Sequence, residues 1–173
     1  MRLPILIAPD PRLKLKARPV SAVDDQIRRL MDDMAETMYA APGIGLAAPQ
    51  VGFAHRVIVV DVAKDGGPSN LMRLANPEIL WHSEELATYN EGCLSLPEHY
   101  ADVSRPQAVR IRYLDYANKR QEIEAKGLLA VCLQHEIDHL DGMLFVDHIS
   151  SLKRGIILRK LAKTKRQKTP VPA

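Results

Sequence analysis

Cysteine is scarce in this sequence, and so are aromatic residues and long apolar runs. The two cysteines among 173 residues, Cys93 and Cys132, are too few for a disulfide framework, which favours an intracellular protein with free thiols. No apolar run approaches the roughly 20 residues that a membrane-spanning helix needs. The apolar stretch after Met1 is too short for a signal peptide. We therefore expect a cytoplasmic protein without a membrane segment.

Acidic residues are missing from the last part of the sequence. Residues 153–173 hold eight lysines and arginines and no aspartate or glutamate, whereas residues 1–152 carry a net charge of −5. A basic segment on an acidic body predicts a polyanionic partner for that segment. The length and hydrophobic content predict one globular domain over residues 1–173. Within it we expect a basic C-terminal helix over about residues 150–166 and a frayed tail over 167–173.

Hydrophobic periodicity predicts both helices and hairpins. A first helix, capped by Ser21 or Asp24, should run to about Ala40, because apolar residues recur there at helical spacing: Ile27, Leu30, Met31, Met34 and Met38. An apolar run predicts a buried strand over 56–62, and period-two alternation predicts a strand over 108–115 with a hairpin partner over 120–125. Gly127 should begin a central helix that Gly142 ends. The last helix places four apolar residues on one face: Leu152, Ile156, Ile157 and Leu161. We expect an α+β fold.

The central helix contains the pattern H-E-x-x-H, formed by His135, Glu136 and His139. Residues four apart share one face of a helix, so both imidazoles can bind one metal ion, and the adjacent carboxylate can act as a base toward a water. The familiar zinc peptidases with this pattern take a third ligand further along the chain. Here no glutamate follows Glu136, and Phe145 occupies the position at which the extended motif needs a histidine. Neither type of peptidase fits.

Four residues are candidates for the third metal ligand. Asp147 and His148 follow the motif, but each fits equally well as a solvated or capping residue near the last helix. Cys132 shares a helix face with the first histidine, but about 10.5 Å of helical rise separates it from the second, and its aliphatic neighbours favour a buried structural thiol. Cys93 can approach the helix from outside. Together with the two histidines it would leave a fourth position open for water, as catalytic sites do.

Two further segments accompany the H-E-x-x-H pattern in a characteristic order. Residues 43–50 read G-I-G-L-A-A-P-Q, and residues 91–97 read E-G-C-L-S-L-P. With residues 134–139 they closely resemble the three motifs of bacterial peptide deformylases, and the similarity extends over nearly the whole chain. The resemblance implies antiparallel β-sheets packed around a central metal-binding helix, with an N-terminal and a C-terminal helix. It also implies an enzyme that removes the N-formyl group from nascent polypeptides beginning with formyl-methionine and releases formate.

The resemblance assigns the metal and the acid/base chemistry to particular residues. It implies that Cys93, His135 and His139 bind one divalent metal ion, which in this family is typically Fe²⁺, with Zn²⁺, Ni²⁺ or Co²⁺ as substitutes. A water activated at that ion would attack the formyl carbon, and Glu136 would be its general acid/base.

The resemblance also predicts how the substrate is held. The side-chain amide of Gln50 and the backbone N–H of Leu94 should donate hydrogen bonds to the oxyanion. Ile44, Gly45 and Gly92 should line the cleft that binds the peptide.

One position departs from the family pattern. Many members carry an arginine seven residues after the metal-binding cysteine, where it pairs with the glutamate that matches Glu91, but Tyr100 stands there in this sequence. Either Arg105 or a hydrogen bond from the Tyr100 phenol could hold Glu91 instead. The departure leaves the predicted ligands intact and leaves open what orients Cys93.

Two kinds of partner are expected: N-formyl-methionyl peptides as substrates, and the ribosome or ribosomal RNA for the basic C-terminal helix. Simple packing of that helix with solvated lysines is an equal alternative. The alternative function is that of a metal-dependent amidase or peptidase of other specificity. A noncatalytic nucleic-acid-binding protein agrees less well with an intact Glu136 beside three ligands.

Overall fold

The computed structural model describes residues 1–63 and 68–168 of the chain. Within these residues, three α-helices and seven β-strands follow one another in the order α1 (Asp25–Ala40), β1 (Gly45–Ala47), β2 (Val57–Val60), β3 (Met72–His82), β4 (Leu86–Cys93), β5 (Leu96–Pro106), β6 (Ala108–Leu114), β7 (Arg120–Lys126), α2 (Gly127–Leu140) and α3 (Ser151–Lys168). Short 3-10 helices occur at Pro11–Lys14, Ala48–Val51 and Phe145–His148. The prediction of an α+β fold with antiparallel sheets is confirmed.

The strands form two separate antiparallel sheets. One has five strands in the order β1-β2-β3-β6-β7, and the other is the hairpin of β4 and β5. In the five-stranded sheet β1 is an edge strand that pairs with β2 alone, with Gly45 opposite Val60. This short edge faces the region where the three sequence motifs meet.

The five-stranded sheet lies between helices α1 and α2, and the packing of strand β2 shows this arrangement. All four of its residues are buried. Alternate side chains point to opposite faces of the sheet, and a helix covers each face. Val57 and Val59 pack with α1, whereas Ile58 and Val60 pack with α2. Helix α1 begins at its cap Asp24, whose side chain accepts a hydrogen bond from the Ile27 backbone N–H. Its predicted apolar stripe is buried throughout: Ile27, Leu30, Met31, Met34 and Met38.

Helix α2 ends where the sequence predicts. Gly142 adopts a φ of +76°, and a Cβ at this position would lie 2.3 Å from the backbone oxygen of Lys14. Glycine is therefore needed both for the left-handed conformation and for the close passage of the N-terminal arm. Ten of the fourteen residues of α2 are buried, which places its polar side chains inside the protein rather than at its surface.

Helix α3 packs less completely than its sequence suggests. Ile157 and Leu161 join the core beneath the β4–β5 hairpin, but Leu152 is 72% exposed and Ile156 is 38% exposed. The expectation of one shared apolar face is therefore wrong for the first two residues. They lie about 100° or more around the helix from Leu161, so the helix cannot turn all four inward together.

Two expectations from the sequence concern the end of the chain and membrane-spanning helices. The predicted frayed tail falls mostly outside the described residues, which end at 168. Across the described ranges, no helix is both long and apolar enough to cross a bilayer.

Candidate metal centre and active site

Helix α2 carries the polar residues of the H-E-x-x-H pattern into the interior. His135 is 9% exposed, Glu136 is 3% exposed and His139 is 1% exposed. The two imidazole rings lie with their centroids 5.0 Å apart in an edge-to-face arrangement, as expected for residues four apart on one helix face. Burying polar side chains costs folding free energy unless their polar atoms find partners. A buried cluster of two histidines and a glutamate therefore indicates a functional site.

The third predicted ligand, Cys93, comes from the end of strand β4. Its Sγ lies 3.4 Å from Nε2 of His139, and one ligand atom each from Cys93, His135 and His139 can be chosen so that all lie within 4.8 Å of one another. The geometry thus brings together the three residues that the resemblance names.

The other three candidate ligands lie elsewhere. Cys132 is buried, and its thiol points toward the backbone oxygen of Ile44 at 3.7 Å. Burial raises the pKa of this thiol well above its usual range, which keeps it protonated. Asp147 accepts a hydrogen bond from the backbone N–H of Leu144, and His148 contacts Asp138. None of the three shares the cluster around His139.

The donor set fits a divalent transition-metal ion. One thiol and two imidazoles would leave one position open on a four-coordinate ion, which is typical of catalytic rather than structural sites. Burial and the nearby charges of His135 and Arg105 hold the pKa of His139 well below its usual range, so its ring is neutral and can bind a metal. Burial also opposes the charged form of His135, but hydrogen bonds with Cys93 and Glu91 raise its pKa well above the usual range. Metal binding should therefore release a proton.

A buried ion-pair network orients His135. Its Nδ1 donates a hydrogen bond to Oε1 of Glu91 at 2.9 Å, which leaves Nε2 directed at the site. Arg105 binds the same carboxylate in a bidentate manner, with distances of 2.7 Å and 2.9 Å, and it contacts Asp138 at 2.7 Å. Burial raises the pKa of Glu91, but its hydrogen bonds to His135 and Arg105 outweigh this and lower the pKa below the ordinary value.

This network shows which residue holds Glu91. Arg105, which is buried on strand β5, holds the Glu91 carboxylate. Tyr100 is 64% exposed, and its phenol does not belong to the network. The ring of Tyr100 lies instead across Gly92, where an added Cβ would meet the ring at 2.4 Å. Tyr100 thereby forms part of the rim of the cavity described below.

Glu136 has the environment of a tunable acid/base group. Burial raises its pKa to about 7. Its Oε1 has no hydrogen-bond partner among the described residues, and this atom lies 3.9 Å from Nε2 of His139. The side chain rests against Gly45, where a Cβ would lie 2.7 Å from Oε2. An unpartnered buried carboxylate atom beside three metal-binding side chains is suited to binding water or a reacting proton.

Gln50 is held so that its amide group donates toward the cluster. Its Oε1 accepts a hydrogen bond from the backbone N–H of Ala47 at 2.9 Å, which fixes Nε2 as the other end of the amide. Nε2 lies 3.3 Å from Sγ of Cys93 and 3.0 Å from Oγ of Ser95. Leu94 lies in the turn between β4 and β5, directly after Cys93.

A cavity of about 610 Å³ opens beside these residues. All nine residues predicted for the site line it except the deeply buried His139, and so do Val131 and Cys132. Further lining residues were not predicted from the sequence, and they include Ile5, Ile7, Tyr89 and Leu128. Ile5 and Ile7 belong to the N-terminal arm, whose backbone is bonded to Gln50 and Ser95 through Leu6 and Ala8. The N-terminal arm has no periodic pattern that would predict its contact with the cavity. The contribution of Leu128 could have been predicted, because it lies one helical turn before Cys132 on the same face of α2.

Comparison with known proteins decides the family. The family described as "Polypeptide deformylase" matches residues 2–155. The chain belongs to the polypeptide deformylase family. Its members are metal-dependent hydrolases that remove the N-formyl group from nascent polypeptides, so the predicted family and enzyme class are confirmed.

Individual deformylases are similar over almost the whole chain. A peptide deformylase from Methylocella silvestris is 63% identical over 163 residues, covering 92% of this chain and 83% of its own length. One from Phenylobacterium zucineum is 55% identical, covering 92% of this chain and 94% of its own length. The crystal structure of the Ehrlichia chaffeensis peptide deformylase superposes with a TM-score of 0.92 at 40% identity, covering 96% of this chain and 98% of that one. The structure of the Ehrlichia chaffeensis enzyme in complex with actinonin gives a TM-score of 0.91 at 43% identity, covering 95% and 98%.

Proposed function

We propose that this chain hydrolyses the formamide bond of peptides beginning with N-formyl-methionine, and that it does so in the cavity beside Cys93, His135 and His139. The observation that carries the proposal is the convergence of these three side chains with the unpartnered carboxylate oxygen of Glu136. In the reaction a C–O bond forms between water and the formyl carbon, and the C–N bond breaks. The products are formate and a free α-amine.

We propose that the cysteine and the two histidines hold one divalent cation. When bound, such a cation would polarise the formyl carbonyl and lower the pKa of a water ligand toward about 7. On the family resemblance we propose Fe²⁺ as the resident ion. Zn²⁺, Ni²⁺ and Co²⁺ are plausible substitutes, because thiolate and imidazole bind all of them.

Glu136 is proposed to carry the proton. Its carboxylate accepts a proton from the attacking water and delivers it to the nitrogen that leaves as the free amine. A pKa of about 7 suits a group that must act first as a base and then as an acid. Burial by Gly45 on one side and by helix α2 on the other keeps bulk water from competing for this proton.

Gln50 and Leu94 are proposed to stabilise the oxyanion. The contact between Oε1 of Gln50 and Ala47 directs the amide N–H toward the cluster before substrate arrives, so no reorientation is needed during the reaction. The backbone N–H of Leu94 follows the cysteine in the tight turn and is proposed as the second donor. Loss of one such donor typically reduces turnover by about 10²–10³.

The substrate backbone is proposed to pair with the free edge of β1. Ile44 and Gly45 on this edge line the cavity, and Gly92 lines its opposite wall. Formyl is the smallest acyl group. The close contact between Gly45 and Glu136 leaves little room for a larger substituent on the carbonyl carbon, so ordinary peptide bonds should be excluded.

The test is release of formate from formyl-Met-Ala by protein purified without oxygen and analysed for metal. We expect formate release with the unmodified chain, and none with a Glu136→Ala variant that retains its metal. Acetyl-Met-Ala and unblocked peptides serve as matched substrates that should not be cleaved. Cleavage of unblocked peptides without formate release would contradict the proposal and favour an amidase or peptidase of other specificity.

We also propose that helix α3 attaches the enzyme to ribosomal RNA, which places it in the cytoplasm. The support is the exposed basic residues that α3 presents, namely Lys153, Arg159, Lys160 and Lys163. Truncating the helix would remove the buried Leu161, so a charge reversal, Lys160→Glu with Lys163→Glu, is the sharper variant. Binding to ribosomes should weaken strongly and lose its dependence on salt, whereas Lys119→Glu with Arg120→Glu, two exposed positions at the start of β7, should change it little. Equal binding by both double variants would contradict the proposal.

A further inference from the structure

A continuous series of side-chain contacts leads from the cluster of Cys93, His135 and His139 to His148, the last residue of the 3-10 helix Phe145–His148. His135 contacts Glu91, Glu91 binds Arg105, and Arg105 donates to Oδ2 of Asp138 at 2.7 Å. The same Oδ2 atom lies 2.8 Å from Nε2 of His148. His148 thus stands at the outer end of a series in which every neighbouring pair is within 2.9 Å.

The contact with Asp138 defines what His148 contributes. A carboxylate oxygen only accepts hydrogen bonds, so Nε2 of His148 must carry the proton that it donates. The side chain of Asp138 is 22% exposed, whereas that of Arg105 is 5% exposed. Asp138 is therefore freer than Arg105 to turn toward solvent. A second donor on its Oδ2 restrains it and keeps it aimed at Arg105.

His148 is not needed to hold its own segment in place. The 3-10 helix Phe145–His148 buries Phe145 and Val146, and Asp147 accepts hydrogen bonds from the Leu144 backbone N–H at 2.9 Å and from Arg154 at 2.8 Å. The segment is anchored by those contacts. What the His148 imidazole adds is its bond to Asp138.

We propose that His148 is a positioning residue for the metal centre, acting through Asp138, Arg105 and Glu91 to fix the orientation of His135. The inference rests on the proposed function, because it takes His135 as a metal ligand. Removing a direct hydrogen-bond partner of a ligand typically reduces metal affinity 10–100-fold. His148 is three contacts further out, so we expect its loss to weaken metal binding about 3- to 10-fold.

The experiment compares His148→Ala, His148→Gln and His82→Ala with the unmodified protein, using Co²⁺ as the probe. Glutamine can place an N–H near the position of the imidazole Nε2 and should restore the bond, while His82 lies exposed on β3 and serves as the matched control. The measurements are Co²⁺ affinity by competition titration, the visible absorption of the Co²⁺-loaded protein, and the thermal stability of the metal-free protein.

We expect His148→Ala to lower Co²⁺ affinity and shift the visible bands, with His148→Gln and His82→Ala close to the unmodified protein. Unchanged affinity and spectrum in His148→Ala would overturn the inference. Equal losses in the alanine and glutamine variants, matched by a loss of thermal stability, would also overturn it in favour of a merely structural role. If the unmodified protein shows no thiolate-to-cobalt absorption, the proposed metal site itself fails, and the role of His148 falls with it.

Discussion

The carboxylate of Glu136 lies against the backbone of Gly45, so close that a Cβ on Gly45 would sit 2.7 Å from Oε2 and 2.9 Å from both Cγ and Cδ. Gly45→Ala should therefore displace this carboxylate, because the surrounding groups are buried and cannot move far. We expect kcat for formyl-Met-Ala to fall roughly 10²-fold, as for a 1 Å misplacement of a reacting group, with metal content unchanged. Steady-state kinetics with metal analysis on the same samples provide the measurement.

Gly43→Ala is the control for this prediction. A Cβ on Gly43 would lie 2.8 Å from Cδ1 of Leu94, which is the end of a flexible side chain that can rotate away. Its kinetic effect should be much smaller. Similar losses for the two variants would mean that Gly45 does not act through Glu136.

The acid limb of the pH–activity profile should report Glu136. A carboxyl group that acts as a base must be ionised, so activity falls as the pH drops below its pKa. Burial raises that pKa from 4.5 to about 7 in the metal-free chain, and a bound cation would lower it again. We therefore expect the midpoint of the acid limb in kcat/KM to lie between 4.5 and 7. Glu136→Gln should lose about 10²–10⁴ in kcat at every pH, and retention of most activity by this variant would assign the limb to another group.

The two cysteines should behave differently when replaced. Cys93→Ala removes one of the three clustered donor atoms, so we expect purified protein with little bound metal and no formate release. Cys132→Ala removes a buried thiol that lies outside the cluster and should leave metal bound. Metal analysis of the two variants side by side is the measurement, and full occupancy in Cys93→Ala would show that another residue is the ligand.

Arg105 should matter for both stability and metal affinity. Arg105→Met leaves the buried carboxylate of Glu91 without its bidentate partner, and breaking a buried ion pair from one side typically costs about 3–5 kcal/mol. Urea unfolding and Co²⁺ titration of the same variant measure the two effects. Tyr100→Phe is the comparison, because the network around Glu91 does not include its phenol. A loss in Tyr100→Phe as large as in Arg105→Met would contradict this reading of the network.

Local sequence patterns predict the elements of this fold well and the contacts between them poorly. The stripe of Ile27, Leu30 and Met34 predicts helix α1 and its end at residue 40, and the spacing of His135 and His139 predicts that both imidazoles lie on one helix face. Helical periodicity is a property of neighbouring residues, so one sequence is enough to read it. In α3 the same reasoning predicts one apolar face that includes Leu152 and Ile156. It does not show that the core instead packs against Ile157, Leu158 and Leu161.

The contact of Cys93 with the histidines of α2 and the pairing of Arg105 with Glu91 depend instead on how strands β4 and β5 are aligned with each other. Strands β4 and β5 pair with Glu91 opposite Ala101 and with Arg105 opposite Ala87. Both side chains therefore lie on the same face of the hairpin, but no local signal fixes that register. Residue chemistry alone left four candidates for the third ligand, and the family resemblance was needed to choose Cys93.

The β4–β5 hairpin forms no strand pairing with the larger sheet in the part of the chain that the structure describes. Its attachment to helix α2 includes polar contacts at the site itself, those of Glu91 with His135, Arg105 with Asp138 and Cys93 with His139. An ion shared by this cysteine and the helical histidines would fasten the two parts together. A chain that has lost its ion should open first at this hairpin while α1, α2 and the five-stranded sheet stay folded. Limited proteolysis of the metal-free protein should therefore cut first in the β4–β5 hairpin, at the wall of the catalytic cleft.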